Sequence, residues 1–340
     1  MTKSRRLPAE WEPQSMVQFT FPHADSDWED LLEEVTPCFV ACVEAVSRFE
    51  DVLVVADDRK RVEQLLSHVS QERLTIISCP SNDTWARDHG GITVFEEGKG
   101  VLLDFMFNGW GLKFPANKDN LITRSLHLWG VFGDIAKENP YVVLEGGAIE
   151  TDGQGTLLST TECLMSPNRN PHLSFRETEE ALTKYLGVDR FLWLDNGYLA
   201  GDDTDSHIDT LARFVDPQAI AYVQCPDDQD EHYAELKLME QELQSFRTRE
   251  GDPYRLIPLP WPTPCFAEDG HRLPATYANF LIINGAVLVP TYNVPEDEKA
   301  LEVLGECFPD REVVGINCRV LIEQHGSLHC ISMQYPAFRK

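Results

Sequence analysis

Short apolar runs rich in β-branched residues alternate with helix-periodic stretches along the whole chain, and this alternation restricts the fold to the α/β class. The pattern predicts strands at 17–21, 52–56, 74–79, 100–105, 141–144, 156–159, 191–194, 219–223, 256–259, 280–283, 287–290 and 313–316. Helices are expected over 28–49, 59–69, 121–132, 175–186, 231–249 and 297–307. Ser26 before the first long helix and Gly187 after the fourth supply start and stop signals. No low-complexity stretch, long Gly/Ser linker or charge block marks a boundary, so 1–340 reads as a single domain.

Charge narrows the partners. Lys and Arg number 29 against 56 Asp and Glu, a net charge of −27. Such a surface repels phosphate, which argues against nucleic acid and anionic lipid as partners. It can steer a small cation into a carboxylate-lined cleft, or simply keep the protein soluble. Met1 to Arg6 is basic, but Leu7-Pro8-Ala9-Glu10-Trp11-Glu12 follows instead of an apolar run, so no secretory signal is readable. No stretch approaches the roughly 18 apolar residues of a membrane helix. Nine cysteines without a Cys-x-x-Cys pair argue against a disulfide framework or a zinc knuckle, and fit a reducing cytoplasm.

Four short segments carry chemistry-bearing side chains. Gly201-Asp202-Asp203-Thr204-Asp205-Ser206-His207-Ile208-Asp209 gathers four carboxylates around one imidazole, and burying such charges unpaired is costly, so a cation belongs there. A calcium loop would need Gly where Ile208 stands. A transition metal held by His207 and Asp209 would lack any second His-rich element. If the chain is extended here, His207 and Asp209 share a face. In Trp85-Ala86-Arg87-Asp88-His89-Gly90-Gly91, Asp88 is either half of a turn salt bridge or the acceptor for two N–H groups of a guanidinium. Glu145-Gly146-Gly147 repeats the design of a carboxylate followed by glycines. His329-Cys330 puts a thiol beside an imidazole; most lone cysteines are small core residues, whereas a nucleophilic one needs positive charge nearby.

Asp88 to Glu145 spans 57 residues, Glu145 to His207 spans 62, and His207 to Cys330 spans 123, about twice that interval. A unit of about 60 residues, repeated roughly five times around an axis, would let each copy deliver a side chain to one central site.

Taken together these segments resemble the agmatine deiminase family, which includes the bacterial type of peptidyl-arginine deiminase. The resemblance rests on 7–13 (Leu-Pro-Ala-Glu-Trp-Glu-Pro), 85–88, 145–147, 162–170, 201–209, Tyr277-Ala278-Asn279-Phe280, Asn284-Gly285, 308–314 and His329-Cys330, and so runs nearly end to end. It implies a five-bladed α/β propeller (pentein) of ββαβ modules around a central site, with no metal or organic cofactor. It further implies a small cationic guanidino substrate, and it fits a homodimer. On matching positions, Asp88 and Asp209 would clamp the guanidinium, Cys330 would attack its carbon, and His207, supported by Glu145, would act as acid and then base. Trp85 would cover the substrate or pack in the core. His89-Gly90-Gly91, Ser206 and Gly326-Ser327-Leu328 depart from the family's usual residues and leave agmatine, free arginine and peptidyl arginine all open as substrate. A binding protein would need the carboxylates but no thiol, and an amidohydrolase of neutral amides would have no use for two clamping aspartates.

Overall fold

The computed structural model describes residues 5–337 and contains five separate sheets. Four follow the chain in order: Ile92–Glu96, Lys99–Leu103 and Ala136–Glu138, with Arg5–Arg6 on the outer edge; Glu150–Thr151, Thr156–Thr160 and Arg190–Leu194; Ala212–Asp216, Ala219–Val223 and Arg255–Leu259; Leu281–Ile283, Ala286–Thr291 and Glu312–Asn317. The fifth joins the two ends of the chain, pairing Ser332–Pro336 with Gln14–Thr20, then Asp51–Ala56 and Leu74–Ser78.

Each sheet repeats one pattern. Two antiparallel strands are followed, across a helix, by a strand parallel to the second, as in Glu150–Thr151 to Thr156–Thr160 and then Arg190–Leu194. The crossing helices are Ile122–Leu128, Phe175–Leu186, Tyr233–Ser245, Asp297–Cys307 and, in the sheet built from both chain ends, Leu32–Ser47. A parallel pair needs such a crossover, which is why strand and helical patterns alternate in the sequence. Phe175–Leu186 shows the local logic: Ser174 and Glu177 form a reciprocal capping box, Thr178, Leu182 and Leu186 form its buried side, and Gly187 ends it at φ 74°.

Two expectations are corrected. Residues 141–144 form no strand, only an isolated parallel bridge in which Met106 N donates to Val142 O at 3.1 Å and Leu144 N to Met106 O at 3.2 Å; Tyr141 is exposed, and on the other side the Asn170 amide accepts from Val143 N at 2.9 Å and donates to Val143 O at 2.8 Å. On that side a side chain satisfies the groups that a ladder would otherwise pair. Residues Ile208–Thr210 form a 3-10 turn, not an extended segment, so two-residue alternation is not what brings His207 and Asp209 together. The strands Ile92–Glu96, Ala136–Glu138, Glu150–Thr151, Ala212–Asp216 and Ser332–Pro336 escape the sequence pattern; several are short or carry buried charge, such as Arg213 and Glu150. No helix among the described residues is long and apolar enough to cross a membrane. Residues 1–4 of the basic start lie outside the described residues.

Candidate active site

Each sheet's first strand is preceded by a short turn, and each turn contributes to one buried cluster. Asp88 stands ahead of Ile92–Glu96, Glu145 ahead of Glu150–Thr151, His207 and Asp209 ahead of Ala212–Asp216, Asn279 ahead of Leu281–Ile283, and Cys330 ahead of Ser332–Pro336. All are nearly or fully buried. Asn279, quoted in a motif but given no role above, divides the doubled interval between His207 and Cys330 and is the repeat's missing member.

Gly147 marks the meeting point. A Cβ there would lie 2.6 Å from His207 Nδ1, 2.8 Å from Asp88 Oδ1 and 3.1 Å from Asp209 Oδ2, so only glycine lets these three groups converge. Its backbone N–H donates to Asp88 Oδ1 at 2.9 Å, while Trp110 Nε1 donates to Asp88 Oδ2 at 2.9 Å. Cys330 Sγ lies 3.8 Å from Asp209 Oδ2 and receives a hydrogen bond from Asn279 Nδ2 at 3.3 Å. Asn279 Oδ1 accepts from the backbone N–H of His329 at 2.8 Å and of Cys330 at 3.3 Å, which fixes the thiol's segment. Arg87 N donates to Cys330 O at 3.1 Å, tying the Asp88 turn to the same place.

His207 lies 3.7 Å from Asp88 and 3.9 Å from Glu145, and neither ring nitrogen has a hydrogen-bond partner among the described residues. Glu145 is itself gripped by Arg169 Nε at 2.9 and 3.0 Å, and Arg169 also donates to Asp205 at 2.6 Å. Lys113 binds Asp205 from the other side at 2.7 Å. Part of the negative charge of 201–209 is therefore met by the protein's own cations, leaving Asp209 as the carboxylate that faces the thiol.

Environment separates the titrating groups. Burial, then the charges of Asp209 and Glu145, pushes Asp88 well above the usual carboxylate range against its two donors. Burial would raise Asp209 too, but the hydrogen bond and charge of His329, with help from His207 and Arg213, hold it below that range. Burial lowers His207 to about 3, so the ring is neutral. Burial, followed by the charges of Asp209 and Asp88, pushes the Cys330 thiol well up and so favours its protonated form.

Two members of the cluster, Asp88 and Cys330, line a pocket together with Trp85, Trp110 and Phe114, with Asp27, Asp83 and Asp203 among its other walls. Trp85 lines the pocket and packs on Trp28 at 5.9 Å between ring centroids. Trp110, Arg169 and Asn279 were missed as site residues. Arg169 and Asn279 sat in quoted motifs without a role, and Trp110 had no signal beyond two flanking glycines. Glu145, Cys163 and His207 bring ligand atoms within 4.8 Å of one another, as do Glu10, Glu150 and His329. In both groups an arginine already holds the carboxylates, Arg169 in the first and Arg213 in the second, which is the geometry of an ion pair and not of a metal cage. The pair His207 and Asp209, considered above as metal ligands, forms no such group among the described residues.

A buried thiol, a neutral imidazole and two carboxylates set around one point, at the end of an aromatic sleeve, define a protein of the guanidinium-binding thiol enzyme class. Residues 6–336 match the model of the Porphyromonas-type peptidyl-arginine deiminase family, and the chain belongs to that family. Agmatine deiminase of Pseudomonas aeruginosa is 33% identical, with 98% of this chain and 96% of that protein aligned. A solved candidate arginine deiminase from Porphyromonas gingivalis is 54% identical at a TM-score of 0.93, covering 98% of each chain. A substrate-bound agmatine deiminase of C. jejuni is 37% identical at a TM-score of 0.91, covering 98% of this chain and 96% of that one.

Proposed function

We propose that the protein is an agmatine deiminase, hydrolysing agmatine to N-carbamoylputrescine and ammonia. The observation that carries this reading is the convergence of Asp88, Asp209 and His207 around Gly147, with Cys330 against Asp209 and both Cys330 and Asp88 lining the aromatic pocket. A guanidinium is planar, permanently charged and rich in N–H donors, and its alkyl chain suits Trp85, Trp110 and Phe114. Its charge, set between Asp88 and Asp209, offsets the acids that otherwise hold the thiol proton.

The thiol proton then passes to His207, whose ring nitrogens have no competing partner. The thiolate forms a C–S bond at the guanidinium carbon, and His207 returns the proton as the C–N bond breaks and ammonia leaves. Water, deprotonated by His207, adds to the S-alkylthiouronium carbon, and cleavage of the C–S bond releases the ureido product and restores the thiol. Glu145, held by Arg169, orients the ring. Asp27, Asp83 and Asp203 along the pocket favour a substrate whose far end is an ammonium over one bearing a carboxylate, which supports agmatine over free arginine.

The reading includes a single domain over 1–340 whose five sheets are the blades of a pentein propeller, the recurring strand–strand–helix–strand pattern being its support. It also includes work in the cytoplasm, for which nine free cysteines are the support, and assembly as a homodimer, which light scattering of the purified protein tests. Ammonia and ureido-product release from agmatine, free arginine and a blocked arginine peptide, assayed side by side, tests the substrate. Turnover of agmatine above the others is expected; preference for the peptide would move the function to protein citrullination, and no turnover of any would leave a binding protein.

A further inference from the structure

Asp88 and Cys330 line the aromatic pocket, whereas their chain neighbours Arg87 and His329 line another, which also meets Glu10, Gln14, Thr93 and Glu150. The reaction as written uses nothing in this second pocket. Its buried carboxylates are already engaged. Glu10 Oε2 accepts from Arg213 Nη2 at 2.6 Å and its Oε1 from Ile282 N at 2.8 Å, while Glu150 pairs with Arg213 and accepts from Phe214 N at 3.3 Å.

Three other polar groups keep open capacity. Gln14 spends its amide hydrogens on Glu10 O at 2.7 Å and Ile282 O at 2.9 Å, and its Oε1 has no partner among the described residues; nor has Thr93 Oγ1. These side chains are only 7% and 5% exposed, and polar atoms so deeply buried ordinarily find a partner. Arg87 carries five N–H groups but meets only His329 O at 3.5 Å, Met333 Sδ at 3.7 Å and the side-chain oxygen of Gln334, none of them a carboxylate.

We propose that this second pocket binds a neutral ureido group, and that its occupant is the ureido product of the reaction. The identity of the occupant rests on the deiminase reading. A carboxylate would set a further negative charge beside Glu10 and Glu150 and bring no donor for Gln14 Oε1. A guanidinium would bring donors only, and its charge would face that of Arg87. A ureido group is neutral; its oxygen accepts from Arg87 and Thr93, and its N–H donates to Gln14. The chain already sets one carboxamide oxygen, that of Gln334, on Arg87, and Ile149 and Met333 offer apolar wall to an alkyl chain. The pocket thereby separates product from substrate by the one group that the reaction changes. Arg87 N donates to Cys330 O at 3.1 Å and its Nε to His329 O, so an occupant held by Arg87 bears on the thiol's segment and slows turnover without entering the aromatic pocket.

The test is a calorimetric titration of n-butylurea into Cys330→Ser protein that already holds saturating agmatine. One saturable site is expected, with n-butylguanidinium and pentanoate failing to fill it; equal binding of all three, or none of n-butylurea, overturns the proposal. Thr93→Val is expected to weaken n-butylurea roughly five-fold, the scale of one hydrogen bond, and Thr93→Ser to restore it. Unchanged affinity in a folded Thr93→Val protein would place the ligand elsewhere and overturn the assignment. With active enzyme, N-carbamoylputrescine is expected to depress kcat while agmatine is saturating; inhibition that saturating agmatine abolishes would remove the product from this pocket. Failure of the Cys330→Ser protein to bind agmatine would instead sink the deiminase reading, and the n-butylurea titration would still decide the pocket.

Discussion

The two sides of Asp209 are built on opposite principles. Behind it, Glu10 and Glu150 are both paired with Arg213, and His329 bridges Glu10 to Asp209, so the buried charges there have their partner in the protein itself. In front, Asp88 and Asp209 face Cys330 and a neutral His207, and no Lys or Arg nitrogen forms a salt bridge with either aspartate among the described residues. A buried ion pair is weak evidence of stability, but a buried acid without its cation is a cost that folding alone does not repay. On the proposed reading the front side is completed by its ligand: the guanidinium would be both substrate and missing counter-charge, and its arrival would favour the thiolate.

The comparison can be broken most severely at the thiol. Cys330→Ser is expected to lower kcat by four orders of magnitude or more, roughly what removal of a catalytic nucleophile costs, while agmatine binding measured by calorimetry survives. Near-normal turnover would remove Cys330 as nucleophile. On the back side, Arg213→Met should leave Glu150 without its cation and take the guanidinium from Glu10, destabilising the fold by about 3–5 kcal/mol in urea unfolding. A loss below about 1 kcal/mol would mean that the back network is not a pairing device. Gly147→Ala tests the convergence itself; its methyl must displace His207, Asp88 or Asp209, and a shift near 1 Å should cost about 100-fold in kcat/KM.

The smallest effect is the most specific. Asp88 has a raised folded value, so folding takes up a proton there; this contribution favours the fold at lower pH and fades as pH rises from the ordinary carboxylate range towards the raised value. A bound guanidinium must reverse that uptake. Agmatine binding to the Cys330→Ser protein should therefore release up to about one proton, detected as a dependence of binding heat on buffer ionisation, and its affinity should rise with pH across that window. Asp209, already ionised, should contribute no release; proton uptake on binding would contradict the contrast between the two clamps.

Much of the site was legible because its residues stand in turns whose identity is constrained: Asp88 and Glu145 before paired glycines, His207 and Asp209 in an acidic run, Cys330 beside a histidine. Helices such as Phe175–Leu186 and Asp297–Cys307 were legible to the residue, since amphipathic periodicity and caps are local. Residues 141–144 were misread because the run reaches only an isolated bridge to Met106, and Asn170, 27 residues from Val143, supplies the hydrogen bonds on its other side. Ala212–Asp216 was missed because buried Arg213 disguises the strand, and its charge is answered by Glu10, 203 residues away.

By itself the sequence determined the α/β alternation and set the candidate reacting groups about 60 residues apart, because side-chain chemistry and helix or strand periodicity are written in neighbouring letters. The tertiary structure alone decided which carboxylates stand unpaired. Asp88 and Asp209 are the same residue type in similar turns, yet His329 and the Glu10–Arg213 network lie behind only one of them. Charge state depends on burial and on neighbours brought from distant segments, and neither quantity exists until the chain has folded.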